Sequence, residues 1–121
     1  MKRNALLAGL FCILAVALAV SAQGTQQITG TWDVTINNPE RMINEQWIVQ
    51  QDGEKLTGKV KNVRGELPLE GTLEGTTLRV QVTNGDMQYV IHATVTGDSM
   101  DGTIKMGKNE FLWRAKRAKS N

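Results

Sequence analysis

Apolar and polar residues alternate along most of the chain after residue 27, and one five-residue motif recurs four times within this alternation. The motif is an apolar residue, any residue, glycine, threonine or lysine, and a second apolar residue. Because successive side chains of a strand point to opposite faces, both apolar residues and the glycine share one face. A repeated strand pattern with glycines on its inner face predicts a sheet that coils into a small barrel. The motif occupies residues 28–32, 56–60, 69–73 and 100–104.

The alternation divides into eight predicted strands, and no window has the period of a helix. Asp52-Gly53 and Asn84-Gly85 predict tight hairpin turns. Pro68 predicts an irregularity or a bulge in the fourth strand. The predicted strands are residues 28–36, 43–50, 55–61, 66–73, 77–83, 87–95, 99–106 and 109–117.

Every predicted connection is short except the first, at residues 37–42. Short connections make consecutive strands antiparallel neighbours, which predicts an up-and-down meander. Pairing of the first strand with the last would remove both exposed edges of the sheet. The sequence therefore predicts an all-β fold, an antiparallel eight-stranded meander barrel.

Strand parity assigns the faces of this barrel. The second strand is ambiguous because Trp47, Ile48 and Val49 are consecutive, and we place Trp47 and Val49 inward. The bulk of the inner residues favours a filled core, although four inward glycines could instead leave room for a ligand. The other residues placed inward are Ile28, Gly30, Trp32, Val34, Ile36, Leu56, Gly58, Val60, Leu67, Leu69, Gly71, Leu73, Leu78, Val80, Val82, Met87, Tyr89, Ile91, Ala93, Val95, Met100, Gly102, Ile104, Met106, Phe111, Trp113 and Ala115.

The first 22 residues have the features of a secretory signal peptide: Lys2 and Arg3, an apolar run, and a small-residue exit at Val20-Ser21-Ala22. A retained membrane anchor is the alternative. We predict a signal peptide at 1–22, a short polar lead at 23–27, one barrel domain at 28–118 and a tail at 119–121. The mature protein is expected to be secreted or periplasmic, without a stable membrane anchor.

Cleavage after Ala22 changes the composition of the chain. Loss of Lys2 and Arg3 leaves 12 of the 14 basic residues against 12 acidic ones, so no general nucleic-acid-binding surface is indicated. Cys12 is lost as well, so the mature chain has no cysteine. The basic stretch 114–119 is interpreted as a solvated end, with a protein-binding patch as the alternative.

Gly30 and Trp32 form a Gly-x-Trp on the first predicted strand, and the last strand carries Trp113 and Arg117. This combination resembles the calycin group, which includes lipocalins, fatty-acid-binding proteins and avidins. The resemblance implies that Gly30, Trp32, Trp113 and Arg117 close the barrel, with Trp32 packed across from Trp113 and Arg117 over the end. The polar residues with which avidins hold biotin are absent, so the resemblance implies the scaffold alone.

No catalytic constellation is apparent, and we predict that the chain is not an enzyme and carries no cofactor. His92 is the only histidine and faces outward by parity. A single histidine and the absence of cysteine from the mature chain argue against a transition-metal site. The stretch 98–102 lacks the spacing of a calcium-binding loop.

Two functions fit this interpretation. The first is a lipocalin-like binding module for a small apolar or amphipathic ligand, held in the barrel or at its mouth near residues 37–42. The second is a filled barrel that acts through its surface, as an envelope interaction protein or a protease-inhibitor-like protein. In the first, the apolar walls come from Trp32, Trp47, Tyr89, Phe111 and Trp113.

Overall fold

Eight antiparallel strands follow one another around a closed barrel in the computed structural model, which describes residues 26–119. The predicted signal peptide at 1–22, the first part of the lead and the last two residues of the tail lie outside the described residues. The all-β meander is confirmed, and residues 26–119 contain no helix. The strands are β1 (Gly30–Asn38), β2 (Arg41–Asp52), β3 (Lys55–Asn62), β4 (Gly65–Glu74), β5 (Thr77–Asn84), β6 (Met87–Thr96), β7 (Ser99–Met106) and β8 (Asn109–Arg117).

The first connection is shorter than the sequence predicts. The β1–β2 pairing continues to Asn38 opposite Arg41, so only Pro39 and Glu40 remain in the turn. The Asn38 side-chain oxygen accepts a hydrogen bond of 3.0 Å from the Glu40 N–H, which stabilises this tight turn. The expected long loop at 37–42 is therefore wrong, because both strands extend into it.

The irregularity expected at Pro68 lies between β4 and β5. The β3–β4 register runs unbroken past Pro68, whereas the β4–β5 register ends at Leu69 opposite Val82. Proline has no N–H to donate to a ladder, so it suits the point where pairing stops. The two strands are consequently not paired at the barrel end that holds the β3–β4 and β5–β6 turns.

Strands β1 and β8 close the barrel, with Trp32 opposite Arg117 and Ile36 opposite Trp113. In this register the position opposite Trp32 is four residues from Trp113, so the expected packing of Trp32 across from Trp113 is wrong. The aromatic partner of Trp113 is Trp47, whose ring centroid lies 5.0 Å away at an interplanar angle of 53°.

The end of the barrel at which β1 begins and β8 ends is sealed by Arg117 and the segment before β1. The Arg117 guanidinium lies 4.5 Å from the centroid of the buried Trp32 ring. It donates hydrogen bonds to the backbone oxygens of Thr29 and Gln27 and, at 2.8 Å, to the Asp98 carboxylate. The Trp32 indole donates at 2.9 Å to the Ile28 carbonyl. We call this end of the barrel the closed end. It holds the contact between a cation and an indole that the resemblance implies.

Three inward glycines allow neighbouring strands to approach closely. A Cβ added at Gly58, Gly71 or Gly102 would overlap the carbonyl oxygen of the adjacent strand. Gly58 also has a φ of +151°, which L side chains rarely adopt. The structure therefore supports the interpretation that these glycines let the barrel coil, because any side chain there would meet the backbone of the next strand.

Strand parity assigns most of the core correctly, including Trp47 and Val49 on the inner face of β2. Met87 is the exception, because it lies at the start of β6 beyond the packed interior and is 50% exposed. The half of the barrel nearer the closed end is filled, and Ile28, Trp32, Leu56, Leu73, Leu78 and Met100 are fully buried there.

Candidate functional site

The end of the barrel opposite the closed end contains a cavity of about 600 Å³ that opens to solvent. We call this end the mouth; it carries the β1–β2, β3–β4, β5–β6 and β7–β8 turns. The opening includes the part of β4 and β5 beyond their last pair, Leu69 with Val82, because Leu67 and Asn84 both line the cavity. Cavities of this size lie within the range of small-molecule sites in proteins. The expectation of a filled core is therefore correct for one half of the barrel only.

The cavity wall is mixed, with somewhat more apolar than polar surface. Where one strand contributes two apolar residues to the wall, they lie two or four positions apart, because alternate side chains of a strand share a face. Trp47 marks the deep end of the β2 wall, where it packs against Trp113. The Trp113 indole nitrogen is buried without a hydrogen-bond partner among the described residues. The apolar lining comprises Ile36, Ile43, Trp47, Leu67, Val82, Ile104 and Met106.

Glu45 interrupts this apolar wall. It lies on the inner face of β2, between Ile43 and Trp47 and opposite Val34, and it lines the cavity. One of its carboxylate oxygens accepts a hydrogen bond of 3.3 Å from the Trp47 indole. Burial raises the pKa of the Glu45 carboxyl above its ordinary value, and the Trp47 hydrogen bond offsets part of that rise.

Glu45 is the only acidic residue on the described inner face of the barrel. The other charged residues with inward parity are Arg41, which is exposed at the mouth, and Arg117, which seals the closed end. Glu45 forms none of the ion pairs found among residues 26–119. Placing Trp47 and Val49 inward also places Glu45 inward by parity, so the sequence contained a signal for this residue.

The rim of the mouth is rich in exposed apolar residues. Met42, Val63 and Met87 are three of the four large hydrophobic residues exposed in the described chain, and each lies in or beside a different mouth turn. Arg41 and Arg64 add positive charge beside them and line the outer part of the cavity. The rim therefore combines exposed apolar surface with positive charge.

The five residues that the sequence predicts for ligand binding occupy different places. Trp47 and Tyr89 line the cavity, and the Tyr89 hydroxyl accepts a hydrogen bond of 3.3 Å from Asn84. Trp32 and Trp113 are fully buried, and Phe111 packs against the core; none of these three is among the residues that line the cavity. A contact of any of the five with a ligand stays a prediction.

The candidate sites outside the mouth cavity are more exposed. His92 is exposed on the outer face of β6. A shallow outer depression of about 270 Å³ lies between β2 and β3, next to Gly58. Within residues 26–119, no three His, Cys, Asp or Glu side chains converge in a way that could hold a metal ion. The same residues include no helix with the length and hydrophobicity needed to cross a membrane.

The structure is similar to that of a fatty acid binding protein from Schistosoma mansoni, solved in complex with arachidonic acid. The TM-score is 0.52 at 14% sequence identity, and the match covers 79% of this chain and 99% of that chain. The fold is calycin-like. No protein-family model matches the chain, and no curated protein matches it. The similarity concerns architecture, and the role of each residue has to be argued from the cavity itself.

Proposed function

We propose that this protein is an exported binding module that holds a small apolar or amphipathic molecule in the mouth cavity. The observation that carries the proposal is an open cavity of about 600 Å³ with apolar side chains from five strands on its wall. Burial of apolar ligand surface contributes about 25 cal/mol per Å², which exceeds the cost of association once enough surface is covered. The arachidonic acid complex of the structural neighbour supports a lipid-like ligand for a barrel of this architecture.

Export is part of this proposal and rests on the signal-peptide features of residues 1–22. Native mass spectrometry of the protein from the exported fraction of its own host tests both parts. We expect a mature chain that begins near Gln23 and carries a bound small molecule. A chain that begins at Met1 and stays in the membrane fraction would contradict export.

A cavity-filling variant tests the binding site directly. Val82 lines the cavity and is 4% exposed, so Val82→Phe adds a ring to the space that a ligand would occupy. Val90 has outward parity on the neighbouring strand β6, and Val90→Phe is the matched control. Dodecanol and the neutral dye N-phenylnaphthylamine are titrated against each protein and followed by fluorescence and melting temperature.

We expect saturable binding by the unmodified protein and by Val90→Phe, and at least tenfold weaker binding by Val82→Phe. Equal binding by all three proteins would place the ligand outside the cavity. If no probe binds any of them, the module proposal fails. A barrel that acts through its surface is then the better proposal, and the exposed Met42, Val63 and Met87 favour the rim as the surface involved.

A further inference from the structure

The wall position of Glu45 restricts the chemistry of the ligand. An ionised carboxylate that is partly removed from water is costly unless a counter-charge or hydrogen-bond donors compensate for it. Here the described protein supplies one donor, the Trp47 indole, at 3.3 Å. The second carboxylate oxygen has no donor of its own among the hydrogen bonds of residues 26–119. The cavity therefore contains acceptor capacity that a ligand can satisfy.

The nearby cations do not meet this need. Arg41 is the cation on the same inner face, four residues closer to the rim, which at strand spacing is about 13 Å from Glu45 along β2. Arg64 also lines the cavity, and neither arginine forms an ion pair with Glu45. The neighbouring strands β1 and β3 contribute Val34, Ile36, Val60 and Asn62 to the inner face around Glu45, and none of these is charged.

We propose, resting on the proposed function, that the cavity selects amphiphiles whose polar group is a protonated amine, and that Glu45 binds this ammonium group. The ammonium supplies both the missing counter-charge and up to three hydrogen-bond donors. The apolar part of the ligand lies against Ile36, Val82 and Ile104 on the wall of the same cavity. A carboxylate ligand of equal length gains the same apolar contacts and meets a like charge at Glu45.

The test uses three probes with the same twelve-carbon chain, below their micelle concentrations: dodecylammonium, dodecanol and dodecanoate. Affinities are measured at neutral pH by displacement of N-phenylnaphthylamine from the unmodified protein, from Glu45→Gln and from Glu70→Gln. The amide of Glu45→Gln has nearly the shape of the acid and still offers an oxygen to Trp47. Glu70 is exposed on the outer face of β4, so its variant removes the same charge away from the cavity.

We expect dodecylammonium to bind at least tenfold more tightly than dodecanoate and more tightly than dodecanol. Glu45→Gln should reduce the amine preference to threefold or less, and Glu70→Gln should leave it unchanged. Dodecanol or dodecanoate binding as tightly as the amine overturns this inference and leaves the binding module intact. An amine preference that survives Glu45→Gln also overturns it, because the charge responsible would then lie elsewhere. If none of the three binds, the proposed function fails as well.

A second measurement needs no variant. The ¹³C chemical shift of the Glu45 carboxyl is followed by NMR with and without each probe. An adjacent positive charge favours the ionised carboxyl, so bound dodecylammonium should lower the pKa of Glu45, and bound dodecanol should not. A pKa of Glu45 that the amine leaves unchanged overturns the inference.

Discussion

Glu45 shows how a single side chain departs from an otherwise consistent pattern. Every other residue with inward parity on β2 between Ile43 and Val49 is apolar, and burial of those residues stabilises the barrel. A carboxyl among them has the opposite effect, because its ionised form loses water without gaining a cation. Buried groups with perturbed pKa values are often found at functional sites, where stability is sacrificed for binding.

This cost can be measured as a pH dependence of stability. Because the pKa of Glu45 is raised in the folded protein, the fold binds its proton more tightly than the unfolded chain does. The contribution of Glu45 to stability is therefore greatest at low pH and is lost as the pH rises through the folded pKa. We expect Glu45→Gln to be more stable than the unmodified protein at neutral pH, by an amount that increases above about pH 4.3 and then levels off.

Urea unfolding of both proteins between pH 4 and pH 8 provides this measurement. Glu70→Gln removes an exposed carboxyl and should show no such trend against the unmodified protein. A stability difference that falls with increasing pH would mean that Glu45 is stabilised as an ion in the fold, contrary to the burial argument.

At the level of strands, the closest contacts occur at glycines. The Gly102 backbone on β7 approaches β6 so closely that a Cβ would overlap the His92 carbonyl oxygen. The φ of Gly102 is not in the region reserved for glycine, so the constraint is contact alone. Such contacts let eight short strands coil tightly enough to close.

Gly102→Ala should therefore destabilise the barrel, although alanine is the smallest possible addition. Overpacking typically costs about 1–3 kcal/mol, and here a backbone rather than a flexible side chain would have to move. Thr57→Val on the exposed face of β3 should stay within about 0.5 kcal/mol of the unmodified protein. Thermal and urea unfolding compare the two. A neutral Gly102→Ala would show that β6 and β7 can separate without loss of pairing.

The strands could be predicted from the sequence because alternation, glycine motifs and turn residues agree along the chain. Predicted and observed strands differ by at most two residues at either end, and the Asn38 turn accounts for the extension of β1 to Asn38 and of β2 back to Arg41. The cavity could not be predicted from the sequence. Its volume depends on where β4 and β5 stop pairing and on how far Trp47 and Trp113 fill the interior, and alternation specifies neither. The inward position of Glu45 could be predicted from strand parity, but the importance of this residue depends on that cavity.

The two ends of the whole barrel differ in chemistry. The closed end has a packed indole beneath a guanidinium that is hydrogen-bonded to three residues, and this arrangement joins β8 to the segment before β1. The mouth has no comparable seal among the described residues. The sealed packing and the opening to solvent thus lie in opposite halves of one small core.

Removal of β8 should abolish folding. Loss of a buried Trp113 alone costs about 3–5 kcal/mol, which is comparable with the total stability of a small domain, about 5–15 kcal/mol. Deletion of residues 111–121 also removes the Arg117 seal and exposes the edges of β1 and β7. We expect no cooperative thermal transition for this truncation, whereas a chain that lacks only residues 120–121 should melt normally. A cooperative transition in the longer truncation would mean that the meander is stable without closure.

Residue 26 and residue 119 both lie at the closed end, because β1 begins there and β8 returns to it. A tether that leaves the barrel at residue 26 or residue 119 consequently starts on the side away from the mouth. The protein could be immobilised on a bead, displayed on a cell or joined in tandem copies with every opening left accessible. The same geometry makes the mouth turns, rather than the termini, the place where an insertion would obstruct entry.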